Sequence, residues 1–197
     1  SLLPSERIQL EHTIKLARRR DLRNSLMVET GYRTGARASE VLSITKKSLV
    51  TVVDERLVNG EIVRLEAKGI RFKTLKRNRR KRDEKTGELI PIKRQVNHWR
   101  TVIVSDEFWN RLIAYAETVS GPLFPISYDR LHEIWELYTP SKGKTFHCLR
   151  HTYSKRHYSL SKDLQALKHD LGHASIGSTL IYAVVETPLE DRKRFVV

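Results

Sequence analysis

The stretch Leu49-Val50-Thr51-Val52-Val53-Asp54-Glu55-Arg56-Leu57-Val58-Asn59-Gly60-Glu61-Ile62-Val63-Arg64-Leu65 decides the fold class. Two β-branched runs flank Asn59-Gly60, the strongest short hairpin signal, because both turn positions must take a left-handed backbone. Gly69-Ile70-Arg71-Phe72-Lys73-Thr74 continues the sheet, and Trp99-Arg100-Thr101-Val102-Ile103-Val104 closes it. The polar, basic stretch from about Lys76 to Asn97 is too long for a tight turn and reads as mobile.

Helical patterns lie on both sides of the sheet. Upstream, Ser5 reads as a helix cap before Ile8, Leu10, Ile14, Leu16 and Ala17. A second helix is expected from about Asp21 to Thr30, broken by Gly31-Tyr32-Arg33-Thr34-Gly35, and a short third one carries Ala38, Val41 and Leu42. Downstream, Ser105 or Asp106 caps a helix that Gly121-Pro122 ends, Ser127 to Tyr138 is another, and three more fall near 146–160, 163–171 and 175–184. Helices, a small antiparallel sheet, then helices again make a mostly helical α+β domain.

The 197 residues carry 37 Lys and Arg against 23 Asp and Glu, a formal charge of +14. The span Lys68 to Arg100 alone supplies +10 of it, between two regions of near balance. A basic block inside a chain, between structured regions, suits an arm that faces phosphates: Lys76, Arg77, Arg79, Arg80, Lys81, Arg82 and Arg100 are the candidate DNA contacts. The single cysteine, Cys148, excludes a disulfide framework and a multi-cysteine zinc site. No apolar run approaches the roughly 18 residues of a membrane span.

Four pieces carry chemistry: Thr34-Gly35-Ala36-Arg37, His147-Cys148-Leu149-Arg150-His151, Leu171-Gly172-His173, and Tyr182 nine residues after His173. Singly, each has an ordinary explanation. Arg37 can pair with Glu40 on the surface, His173 can be a helix-end cation, and Tyr182 can be a core tyrosine like Tyr153 and Tyr158. His147 and His151 also have metal-pair spacing, but no third ligand follows at sensible spacing. Cys148 reads as a buried thiol. Four such pieces in this order and spacing are an improbable coincidence.

Together they resemble the tyrosine recombinase (phage integrase) family over about residues 20–185. The resemblance implies the family's catalytic domain, with the basic arm over about 68–100, a tail over about 186–197, and the N-terminal core-binding domain outside this chain. It implies a DNA recombinase that cleaves and rejoins strands through a 3′-phosphotyrosyl bond without metal, ATP or other cofactor. Arg37 and Arg150 would clamp the scissile phosphate, with His147 and His173 adding hydrogen bonds. Two guanidiniums suit an anionic transition state because they bind its oxygens bidentately and stay charged. Tyr182 would be the nucleophile; a phenol is ordinarily protonated at neutral pH, so it needs a proton acceptor, for which His147 is a candidate. The family's hairpin lysine, which protonates the leaving oxygen, corresponds to Lys73, with Lys76 as the alternative.

The implied partners are double-stranded attachment sites and further copies of the chain, as a tetramer on paired sites, with no membrane. The implied location is the cytoplasm, at the nucleoid, or the host cell if the carrier is a virus, plasmid or other mobile element. A type IB topoisomerase or telomere resolvase shares the chemistry; the short step from Leu171-Gly172-His173 to Tyr182 favours an integrase. A catalytically silent DNA-binding module would have no reason to fill every one of these positions.

Overall fold

The computed structural model describes residues 1–59, 61–74, 80–83, 86–91, 98–173 and 175–186. Helix α1 spans Pro4–Ala17. Its cap is Leu3 rather than Ser5: Pro4 presets the first helical φ, and the Glu6 carboxylate accepts the Leu3 N–H at 2.6 Å. Of its apolar residues Leu10 and Ile14 are buried, while Ile8 and Leu16 face outward.

Asp21 caps α2 (Leu22–Thr34) by accepting the Asn24 N–H. The helix runs straight through Gly31, where a break was expected. A Cβ there would lie 2.5 Å from Cζ of Phe146, so Gly31 is a point of close packing, not a turn. Gly35 ends the helix at φ 61°, with its N–H on the Gly31 carbonyl, a single-bond left-handed cap. The chain then starts α3 (Ala38–Leu42).

Strands β1 (Leu49–Val58) and β2 (Glu61–Thr74) form the expected hairpin, with Leu57 opposite Ile62 and Asn59 at φ 52°. A short ladder of β3 (Arg80–Arg82) and β4 (Leu89–Pro91) lies within the long basic stretch between β2 and the closing strand. Strand β5 (His98–Ile103) then returns antiparallel to β2, with Lys73 opposite Trp99, giving the order β1-β2-β5. At the base of β2, Ile70, Phe72 and Thr74 are buried, whereas Arg71 and Lys73 are exposed.

Helix α4 (Asp106–Ala116) follows Ser105 and buries Phe108, Leu112 and Ala116. Ser127 caps α5 (Tyr128–Tyr138) by accepting the Arg130 N–H at 3.1 Å. Three helices complete the described chain: α6 (Cys148–Ser161), α7 (Leu164–Leu171) and α8 (Gly177–Glu186). The main core joins Leu10, Leu26, Phe72, Phe108, Trp135 and Phe146, and a smaller cluster holds Leu167, Leu171 and Tyr182. Cys148 is buried, and burial pushes its thiol up to about 11, as befits a packing residue. Among the described residues, no helix is long and apolar enough to cross a membrane.

Candidate active site

Two chain reversals bring the motif residues together. The left-handed cap at Gly35 turns the chain out of α2 just before Arg37. Glycine is required there twice over: φ is positive, and a Cβ would fall 2.7 Å from the Tyr153 ring. At the end of α7, the His173 N–H reaches the Lys168 carbonyl (3.0 Å) and the Gly172 N–H that of His169 (2.9 Å). This is a Schellman cap, and it sets His173 immediately beyond the helix. A Cβ on Gly172 would meet Cδ of Arg100 at 2.8 Å and Oγ1 of Thr74 at 2.9 Å, so the cap also docks on the sheet. The chain then enters α8, whose buried positions include Thr179 and Tyr182.

Arg150 is the hub of these turns. Its side chain is almost wholly buried, and its guanidinium donates to the carbonyls of Gly35 (3.0 Å) and Leu171 (2.6 Å). One side chain thereby ties the Arg37 loop to the His173 turn. Burial, Arg37 and Arg100 draw its pKa down to about 9, which still leaves a cation at neutral pH.

Glu40 balances part of this charge. It is buried, accepts the Arg37 backbone N–H (2.8 Å) and guanidinium (2.9 Å), and pairs with Arg100 at 2.7 Å. Burial alone would raise its pKa, but Arg100 and Arg37 outweigh that and hold it below the usual carboxylate range. Three guanidiniums therefore surround one carboxylate, and the surplus is positive. It shows at the neighbouring histidines. Burial, then Arg150, Arg37 and Arg100, bring His173 down to about 4. Partial desolvation, then Arg150 and Arg37, lower His147. Both imidazoles are neutral at pH 7, and Nδ1 of His173 lies 2.9 Å from Oγ1 of Thr179. When Nδ1 accepts that hydroxyl, Nε2 keeps its hydrogen as a donor.

The structure thus gathers Arg37, His147, Arg150, His173 and Tyr182 about one positive centre, and it corrects one expectation, the reading of Arg100. Arg100, read as a DNA contact, is 3% exposed: it donates to the Asp170 carbonyl, pairs with Glu40 and covers the Phe72 ring at 4.7 Å. It is an internal strut because strand alternation puts Trp99 outside and Arg100 inside. The Tyr182 hydroxyl meets His151, not His147: the distance to His151 Nδ1 is 3.0 Å. The sequence signal for His151 is its helical spacing from His147, a spacing that also suits a metal pair. Lys73 does not join the cluster. It is exposed, on the face of β2 opposite Thr74, beside Arg71, whose guanidinium stacks on Trp99 at 4.8 Å. Lys76, Arg77 and Arg79 lie outside the described residues, as does the tail over 187–197; Arg80, Lys81 and Arg82 form β3. Among the described residues, no three His, Cys, Asp or Glu side chains converge as metal ligands.

Against known proteins, the Phage integrase family profile matches residues 5–187. The catalytic domain of bacteriophage HP1 integrase superposes with a TM-score of 0.60 at 22% identity, covering 98% of this chain and 93% of that one. The XerH site-specific recombinase bound to difH substrate, in a pre-cleavage complex, gives 0.62 at 19% identity, over 100% of this chain and 53% of that one. The Tn1549 transposon integrase in complex with circular intermediate DNA gives 0.59 at 16%, over 98% and 64%. This chain therefore spans about half the length of the XerH chain. At these identities the likeness is one of fold, and no curated protein matches the sequence. With the family profile spanning nearly all of it, the chain belongs to the phage integrase family of tyrosine-type site-specific recombinases.

Proposed function

We propose that this chain cleaves and rejoins double-stranded DNA at attachment sites through a 3′-phosphotyrosyl intermediate. The observation that carries the reading is the surplus of positive charge at Arg37, Arg100 and Arg150, set against the single carboxylate of Glu40. A phosphodiester supplies the missing anion, and its pentavalent transition state supplies more of it, so the site favours the transition state over the ground state. Arg37 and Arg150 hold the non-bridging oxygens, with His147 and His173 as further donors. Tyr182 Oη attacks phosphorus; the Oη–P bond forms, the P–O5′ bond breaks, and O5′ leaves as a hydroxyl once protonated. The phosphotyrosyl bond conserves the energy of the broken one, so religation needs no ATP. These guanidiniums supply the charge that a metal would otherwise provide. Further copies of the chain on paired sites, as a tetramer, complete the exchange of strands.

The test is a pool of nicked duplexes with randomised sequence around the nick, which traps cleavage by loss of a short strand. In EDTA, a denaturing gel is expected to show a DNA band retarded by covalent protein. No such band from any member of the pool would sink the reading. Relaxation of a supercoiled plasmid without site preference would point to a topoisomerase instead.

The proton for O5′ comes from a lysine at the end of β2. Lys73 is free to fill that role: among the described residues its side chain has no hydrogen-bond or ion-pair partner. Lys73→Ala is expected to slow cleavage by about 10²–10⁴-fold, the range for general acid catalysis. A substrate with sulfur in place of the leaving O5′ needs no protonation and should recover the rate in that variant. Rescue of Lys76→Ala alone would transfer the role to Lys76.

A further inference from the structure

Tyr182 and His151 are 31 residues apart in the chain, yet their side chains meet at 3.0 Å. Their rings lie 5.8 Å apart and tilted by 52°. Tyr182 is 4% exposed, held by Leu167 and Leu171, so the contact is fixed by packing and not by a loose surface encounter. His147, the residue just before α6, stands edge-on to His151 at 5.0 Å and is the more open of the two. His151 therefore lies between His147 and the phenol.

We propose that His151 holds the Tyr182 hydroxyl before cleavage and takes its proton as Oη attacks phosphorus. This rests on the reading of Tyr182 as nucleophile. The proton passes from Oη to Nδ1 while the Oη–P bond forms; the P–O5′ bond breaks, and O5′ takes its proton from the β2 lysine. Religation runs the same transfers backward, with the imidazolium of His151 returning the proton to Tyr182. His147 is then left to face the phosphate.

The electrostatics suit an acceptor. Burial lowers the His151 pKa, and so do the groups that face it: the His147 ring just before α6, the Arg150 and Lys155 cations of α6, and the Ser1 amine of the amino-terminal segment. From α8 it faces Tyr182. The imidazole is neutral at pH 7, with a lone pair available at Nδ1. The arriving phosphate offsets the surrounding positive charge and raises proton affinity when the transfer occurs. Below its lowered pKa the ring carries a hydrogen on Nδ1 and cannot accept. Cleavage should therefore fall on the acid side of that value and be indifferent to this group above it.

Two measurements test the proposal. In the full chain labelled with ¹⁵N-histidine, NMR is expected to show His151 as the Nε2–H tautomer. Tyr182→Phe should shift its Nδ1 resonance and raise its pKa, because the bond from the phenol stabilises the neutral ring. An Nδ1–H tautomer, or a His151 unchanged by Tyr182→Phe, would overturn the pairing. In single-turnover cleavage of the nicked pool, His151→Gln should lose about 10²-fold or more and abolish the acid limb of the pH profile. His147→Gln should lower the rate but keep that limb. A rate in His151→Gln within about threefold of the parent, or an acid limb that follows His147, would overturn the base role. No covalent product from the parent chain would count against the recombinase reading and the base role with it, while the NMR result alone decides the pairing.

Discussion

Tyr182→Phe is expected to yield no covalent protein–DNA complex while leaving DNA affinity nearly intact. The substitution removes one oxygen, which is both the attacking atom and the group hydrogen-bonded to His151. Nothing else in the site changes: the ring still fills its place against Leu167 and Leu171, and the guanidiniums of Arg37 and Arg150 remain. Loss of one neutral hydrogen bond costs about 1 kcal/mol of stability, too little to unfold the domain. Binding, driven by release of counterions from phosphates, should keep its steep salt dependence. Filter binding at two salt concentrations and the denaturing gel, run on the same preparation, separate the two effects. A retarded band that persists in Tyr182→Phe would mean that another hydroxyl is the nucleophile.

Glu40→Ala is expected to be the most damaging single change to stability. Its carboxylate is the anionic partner of Arg100, which is buried, and of Arg37. Without it Arg100 keeps the Asp170 carbonyl and the Phe72 ring but, among the described residues, no anionic partner, and three guanidiniums face one another uncompensated. Removing one partner of a buried ion pair costs about 3–5 kcal/mol, because the other charge stays desolvated. Urea denaturation should show a loss of that size with little change in the slope; a loss below about 1 kcal/mol would assign Glu40 a surface role. Glu40→Gln should cost less, since an amide oxygen still accepts the Arg37 N–H. The folded pKa of Glu40 lies below its unfolded value. Its contribution is therefore complete above the unfolded carboxylate pKa and is lost as the pH falls through the folded one.

Local chemistry is what could be read without coordinates. Asn59-Gly60 predicted the β1–β2 hairpin because few residue types other than Asn and Gly tolerate the left-handed backbone that both positions of a tight hairpin turn require, and Ser105 and Ser127 marked the starts of α4 and α5. The α+β class and the family followed from such signals and from four motifs in order. Gly31 shows the limit of the method. As a letter it signals a break, but in the fold it is the space that the Phe146 ring occupies.

The site divides along the same line. Four motifs in order, through their resemblance to the tyrosine recombinase family, named Arg37, His147, Arg150, His173 and Tyr182, and the charge of a phosphodiester explains why those residue types belong together. Which side chains touch was decided by elements far apart in the chain. Arg100 follows a basic stretch and reads as one more phosphate contact. Docking of β5 on the Gly172 cap turned it inward to Glu40. His151 was one half of a histidine pair on a helix until α8 packed on α6 and brought Tyr182 to its ring. Composition and spacing are properties of the chain and can be read along it. Partnership of charges and hydrogen bonds depends on which faces packing buries, and only the folded structure decides that.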